Sequence, residues 1–310
     1  MLPSVRLRAS DLMTTLGRGY VRNAPGSLLK GRLAAHYLNP RLRDHPRQRV
    51  VTTRFGALMA CDSRDLIQRY IQLFGAWEVH MTRWMEGRLR PGDVLVDVGA
   101  NVGYFSLLGS GLVGPEGRVV ALEASPVSHG RVLRHIAVNG IENIRAVNAA
   151  VSDREETLTF VLASSRNTGA NSIVPYDGPA ESTFDATAYP LTELLEADEI
   201  ARARVIKIDV EGAEGAVVRG LLPALDRMRP DVELAVEVTP ARMEKLGFSV
   251  EDLLEAMRVR GFHTYRLTND YRAASYPQAL RRPEPPRRWD RPISGEMDVV
   301  FSRVDADVLD

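Results

Sequence analysis

The stretch Val94-Leu95-Val96-Asp97-Val98-Gly99-Ala100-Asn101-Val102-Gly103-Tyr104-Phe105 constrains the fold more than any other part of this 310-residue chain. Its first five residues are apolar apart from one acid, the pattern of a strand buried on both faces. A turn of small residues follows, and then the apolar start of a helix. A strand that feeds a helix through glycines aims backbone N–H groups and a carboxylate at one edge of a sheet. Polar ligands are held at such an edge.

The alternation continues downstream. Strands are expected at 94–98, 118–123, 144–151, 157–163, 204–210 and 232–238, and helices at 102–112, 126–139, 191–200, 214–227 and 249–260. Strands alternating with helices imply an α/β fold, a Rossmann-like, doubly wound, mostly parallel sheet covered on both faces. Two late strands, 262–268 and 296–303, read as an antiparallel hairpin that supplies an antiparallel last strand. Their long Arg- and Pro-rich connection, 270–294, reads either as a lid loop or as a disordered linker. Residues 1–90 are expected to form an N-terminal helical cap, with a short strand or hairpin at 49–60 and a helix over 64–90. That helix rests on Leu66, Ile67, Tyr70, Ile71, Phe74, Trp77, Met81, Trp84 and Met85 at helical spacing. The turn Pro91-Gly92-Asp93 then opens a second domain, 91–310.

Composition narrows the partners. A net charge of zero leaves no global field for nucleic acid or anionic membrane. The sheet-bearing stretch also lacks a basic, aromatic-interleaved stripe, so no nucleic acid is expected. The single cysteine, Cys61, excludes an intramolecular disulfide and reads as a small buried hydrophobe, which fits a reducing, cytoplasmic setting. No apolar run reaches the ~20 residues of a membrane span, and the N-terminus lacks a secretory signal. It is basic nonetheless. Residues 1–49 carry ten Arg and Lys against Asp11 and Asp44, which reads as a solvated helical extension and leaves contact with a membrane or partner open.

A nicotinamide fingerprint needs three glycines after the first strand. In that register this chain has Gly99-x-Asn101-x-x-Tyr104, so two are missing. The pattern Asp97-x-Gly99-x-x-x-Gly103 instead resembles the S-adenosylmethionine loop of Rossmann-like methyltransferases. The ammonium and carboxylate at that ligand's amino-acid end suit an acid at the strand tip and N–H groups in a glycine turn. Glu123 ends the second strand, 20 residues after Gly103, where an acid takes ribose hydroxyls. Asn148-Ala149-Ala150-Val151-Ser152-Asp153 is placed to frame an adenine. The expected cofactor set is Glu78, Asp97, Gly99, Asn101, Gly103, Tyr104, Phe105, Glu123, Ala124, Ala150, Val151 and Asp209.

The run Val205-Ile206-Lys207-Ile208-Asp209-Val210-Glu211-Gly212-Ala213-Glu214 is more specific, because four charged residues around a glycine at a strand end have no generic structural reason. Together with residues 96–104 it closely resembles the FkbM family of S-adenosylmethionine-dependent methyltransferases. Trp77-Glu78, Gly117-Arg118-Val119, Asn139-Gly140 and Pro190-Leu191-Thr192 also fit, over about residues 74–268. Two departures stand out: Ala124, where the family commonly has Pro, and a long 164–190 connection carrying Asn171-Ser172. The resemblance implies methyl transfer to a hydroxyl oxygen of a natural product or sugar. Two other readings stay open, a non-catalytic S-adenosylmethionine-binding module that recruits a partner, and methylation of a carboxylate or nitrogen. No amide-recognition tetrapeptide of the Asn/Asp-Pro-Pro-Tyr type follows the fourth strand, which counts against an amide.

Asp209 ends the fourth strand and opens on the ligand crevice. Lys207, two residues earlier, shares its face and is expected either to hold or orient it or to be a structural ion pair. Glu237 ends the fifth strand at the same crevice. An alcohol is a weak nucleophile, so a general base or a metal helps, and Asp209, Glu211 and Glu237 are the candidate bases. Asp209 and Glu237 are the candidate ligands should Mg²⁺ be required. His80 and His129 are secondary candidates, since such histidines are more often packed or on the surface. Trp77-Glu78 is expected to cap the methionine end of the cofactor. Tyr271, Tyr276 and Trp289 are candidate contacts to a hydroxylated substrate, and a homodimer is left open.

Overall fold

Every residue of Val94–Val98 is buried, as are most residues of the strands beside it, which requires a sheet with both faces covered. In the computed structural model, whose described residues are 9–162, 171–172 and 182–309, these strands build one eight-stranded sheet. Its members in chain order are β1 (Val94–Val98), β2 (Arg118–Leu122), β3 (Ile144–Val147), β4 (Ala203–Ile208), β5 (Glu233–Val238), β6 (His263–Leu267), β7 (Arg287–Arg288) and β8 (Met297–Ser302). Their spatial order is β7-β6-β8-β5-β4-β1-β2-β3. Strands β1 to β5 pair in parallel, while β8 runs antiparallel between β5 and β6. This is the expected doubly wound α/β sheet with an antiparallel last strand. The chain starts in the middle, winds outward through β2 and β3, and crosses back to place β4 on the other side of β1. Strand order therefore reverses between β1 and β4, and the crevice at their carboxyl ends is where such sheets bind ligands.

Local signals explain where helices begin. Ser125 accepts from Ser128 N at 3.3 Å ahead of helix Pro126–Asn139, and the proline occupies a first-turn position where its missing N–H costs nothing. Ser249 caps Val250–Arg258 in the same way. Val96, Ile206, Ile208, Leu221, Leu234, Val236, Met257 and Phe301 lie in one core that joins sheet and helices.

Three expectations are corrected. The helix over 64–90 is two helices, Leu66–Phe74 and Val79–Arg88, because Gly75 adopts the left-handed φ of 74° that ends a helix. The strand over 144–151 stops at Val147, where the Asn148 side chain donates to the carbonyls of Glu123 and Ala124 and turns the chain away. Ala150–Ser152 then joins a separate four-stranded sheet with Ser182–Pro190, Glu156–Leu162 and Asn171–Ser172, so the strand expected at 157–163 also lies outside the main sheet. Of the 164–190 connection, 164–170 and 173–181 lie outside the described residues, as does residue 163 at the end of that strand.

The chain divides into two compact units, Met1–Val79 with Asp270–Pro283, and His80–Asn269 with Glu284–Asp310. The boundary expected at residue 90 is therefore at 79, and the first part of the 270–294 loop groups with the N-terminal unit. Aromatic packing accounts for this. Tyr276 lies 4.8 Å between ring centroids from both Tyr70 and Phe74, and Tyr271 stacks on Trp77 at 5.2 Å. Trp289 belongs to the second unit, under the guanidinium of Arg266. The N-terminal unit also holds helix Ala9–Asn23 and a hairpin, Gln48–Thr52 with Leu58–Asp62, close to the strand or hairpin expected at 49–60. Cys61 is buried on that hairpin, and burial pushes its thiol up to about 12. Among the described residues, no helix is long and apolar enough to cross a membrane.

Phe301 is fully buried on β8. Phe301→Ala is expected to cost about 3–5 kcal/mol, read as a lower urea midpoint.

Candidate active site

The turn after β1 and the turn after β4 are pressed together. A Cβ on Gly99, whose φ is 82°, would lie 1.8 Å from the Asp209 carbonyl oxygen, so no side chain fits there. Asp209 N donates to Val98 O at 3.0 Å across the same gap. Asn101, also at positive φ, donates its backbone N–H to Glu123 Oε2 at 2.7 Å, while Ser125 N donates to Oε1 at 2.8 Å. Gly103 is the N-cap of helix Tyr104–Val113, and His135 Nδ1 lies 2.9 Å from Val102 O. The loop between β1 and its helix is thus held from three sides.

Charge is concentrated at this edge. Asp97 is 1% exposed; Ser106 Oγ donates to its Oδ2 at 2.5 Å, and Oδ1 is buried with no hydrogen-bond partner among the described residues. Burial raises the Asp97 carboxyl, against the opposing charge of Lys207. Lys207 lies opposite Asp97 in register, 2.9 Å from Asp209 Oδ2, with its ammonium 5.2 Å from the centroid of the Phe105 ring. Burial also pushes Glu123 up to about 7, outweighing its two backbone hydrogen bonds. Glu214 opens helix Glu214–Leu221 and accepts from Gly212 N at 2.9 Å, yet burial pushes it up to about 7 as well.

On the far side of β5 stands Asp298, the register partner of Glu237. Asn269 Nδ2 donates to it at 2.7 Å, but burial, helped by the Asp209 charge, raises it to about 7. Asp209, Glu211 and Glu237 each offer an oxygen within 4.8 Å of the other two, and all three are half-buried. Glu211 sits at φ 58° and is ion-paired with Arg242.

The structure therefore brings Asp97, Gly99, Asn101, Gly103, Glu123, Lys207, Asp209, Glu211 and Glu237 to one sheet edge. S-Adenosylmethionine fits this donor set. Asp97 Oδ1 and Asn101 Oδ1 are buried acceptors lacking a donor among the described residues, as an ammonium requires. Each Glu123 oxygen holds one N–H and keeps a lone pair for a ribose hydroxyl. Ala124 packs on a small cluster with Ala150, and Val151 lies in the main core, so their side chains are committed to packing. Asp153 pairs with Arg219. Tyr104 Oη lies 3.2 Å from Thr82 Oγ1.

Other expected residues are placed elsewhere or bound otherwise. Glu78 belongs to the N-terminal unit, at φ 39°, where Tyr271 Oη donates to its Oε1 at 3.1 Å and its own N–H donates to Tyr276 Oη. His80 Nδ1 accepts from Glu284 N at 2.8 Å, a structural tie. His129 lies on helix Pro126–Asn139, half-buried. Ser106, His135, Asn269, Asp298 and Arg242 were not foreseen. Only Asp298 had a visible signal, an acid within an otherwise apolar strand.

A family model described as "Methyltransferase FkbM domain" matches residues 97–264, more than half of the chain. The "Ribosomal RNA large subunit methyltransferase E" of Halorhodospira halophila (strain DSM 244 / SL1) is 37% identical over 98 residues, 31% of this chain. The match spans 44% of that protein, less than half of its length. Among solved structures, the methyltransferase FkbM from Methylobacillus flagellatus KT aligns with a TM-score of 0.37 and 16% identity, covering 76% of this chain and 52% of that one. A putative rRNA-methylase from Clostridium thermocellum aligns with a TM-score of 0.44 and 9% identity, covering 73% and 94%.

Two outcomes follow from the geometry. Gly99→Ala is expected to part the two turns and abolish calorimetric binding of S-adenosylmethionine. Glu123, Glu214 and Asp298 each hold their proton more tightly folded than unfolded. The native state then binds more protons between the ordinary carboxylate range and about 7, so stability falls as pH rises through that window. Urea unfolding across the window measures the slope, and Glu214→Gln is expected to flatten it.

Proposed function

The chain belongs to the FkbM methyltransferase family, and on that premise we propose that it methylates a hydroxyl oxygen of a small or medium polar metabolite, such as a natural product or sugar. The observation that carries this reading is the convergence of Asp209, Glu211 and Glu237 beside the buried ammonium of Lys207. An alcohol is a weak nucleophile until its proton leaves, and a carboxylate at the crevice is the group to receive it.

When bound, S-adenosylmethionine supplies a methyl group on a sulfonium that is its own good leaving group. In this reading Asp97 and Asn101 hold its ammonium end and Glu123 takes the ribose hydroxyls, while the backbone N–H groups of Gly99, Ala100, Asn101 and Gly103 are engaged within the fold. Asp209 is the assigned base, oriented by Lys207, and Glu237 is the second acid facing the acceptor. A Mg²⁺ would use the same oxygens, Asp209 and Glu237 foremost. Lys207 against Asp209 and Arg242 against Glu211 already offset two of the three charges, which leaves less uncompensated negative charge for a divalent cation. A lone buried cysteine is in keeping with a reducing cytoplasm.

Asp209→Asn and Glu237→Gln are each expected to lower kcat by about 10²–10⁴-fold while calorimetric affinity for S-adenosylmethionine changes only a few-fold. Turnover is read by mass spectrometry as the gain of one CH₂ across a panel of hydroxylated metabolites, with and without EDTA. Unchanged turnover in both variants would remove the acid–base role, and dependence on added Mg²⁺ would move these carboxylates to the metal.

A further inference from the structure

The N-terminal unit holds a second concentration of charge that methyl transfer does not use. Thr14, Thr15, Arg18, Arg47, Arg49 and Gln72 line a recess open to solvent. Two independent elements build it. Thr14 and Arg18 are four apart on helix Ala9–Asn23 and so share a face. Arg49 lies on the strand Gln48–Thr52 and Arg47 on the segment that leads into it, and both reach the recess. Three guanidinium groups therefore converge from two directions.

The charge there is not balanced. Asp11 is ion-paired with Arg47 and lies 3.9 Å from Arg41. Arg18 and Arg49 make no hydrogen bond or ion pair among the described residues. Burial lowers the Arg18 pKa, and repulsion from Arg49 and Arg47 lowers it further. The surrounding sequence does not restore balance, since residues 1–49 carry ten basic side chains against two acids. Half-buried guanidinium groups with an unmet charge call for an anion. A planar fork of N–H donors matches two oxygens of a phosphate at once, and several forks match a tetrahedral dianion better than a flat carboxylate.

We propose that this recess binds a phosphate monoester group, with Arg18, Arg47 and Arg49 as its ligands. The assignment is independent of the methyl acceptor. The full chain in phosphate-free buffer is titrated with inorganic phosphate and with a sugar phosphate, following thermal unfolding and binding heat, at ionic strength matched with potassium chloride. Vesicles of phosphatidylcholine with and without phosphatidic acid form the lipid arm. A saturable effect is expected that chloride does not reproduce, with Kd weakened at least about tenfold in R18Q/R49Q and retained S-adenosylmethionine binding as the sign of an intact fold. R18K/R49K keeps the charge but loses the forks, and is expected to fall between the two; it decides the matter if R18Q/R49Q folds poorly. Saturation only on phosphatidic acid vesicles, lost in the same variants, upholds the site and puts the monoester on a lipid. No saturable effect from any probe, one matched by chloride, or one that both variants retain would overturn the proposal.

Discussion

Lys207 is the cation around which the crevice is organised. Carboxylates withdrawn from water either lose their charge or need a positive partner, because desolvation penalises the ionised form. The Lys207 ammonium is itself buried, bonds Asp209 at 2.9 Å, stands opposite Asp97 in register, and works against the upward shifts of both Asp97 and Asp298. Glu123 and Glu214 have no cation of that kind among the described residues. Backbone N–H groups satisfy part of their hydrogen bonding, but burial still pushes both up to about 7. One lysine on a central strand thus opposes, without reversing, the effect of burial on Asp97 and Asp298.

The contact of Gly99 with the Asp209 carbonyl links this charge to the cofactor loop. A methyl group where Gly99 has none would meet that oxygen at 1.8 Å, so the loop after β1 and the acidic turn after β4 have a fixed separation. Because strand order reverses between β1 and β4, no crossover covers the gap between them, and the acids open outward. The buried oxygens of Asp97 and Asn101 that lack a donor among the described residues stand at that same edge. A cationic ligand end would supply the donor that each of them lacks.

Much of this was legible in the sequence for definite reasons. β1 and β4 are apolar runs ending in acids, and glycine turns follow each, so periodicity and punctuation agreed. Other features misled for equally definite reasons. The aromatic spacing of residues 64–90 continues across Gly75, and only its left-handed φ shows that the helix ends there. Val147 and Val151 belong to one apolar run, yet the Asn148 side chain bonds two carbonyls and sends the chain into another sheet. Ser182–Pro190 is too polar to announce a strand; it pairs because Glu156–Leu162 presents a complementary edge.

By itself the sequence determined the doubly wound architecture, the Asp97-x-Gly99-x-x-x-Gly103 loop and the acidic run around Asp209, because these follow from local spacing and from the alternation of buried strands with helices. Tertiary structure alone decided that Asp298 stands beside Glu237, that Arg242 meets Glu211, and that Tyr271 and Tyr276 join the N-terminal unit. Those pairings join residues far apart in the chain. Strand register and aromatic packing create them, and neither leaves a periodic trace in the residues it brings together.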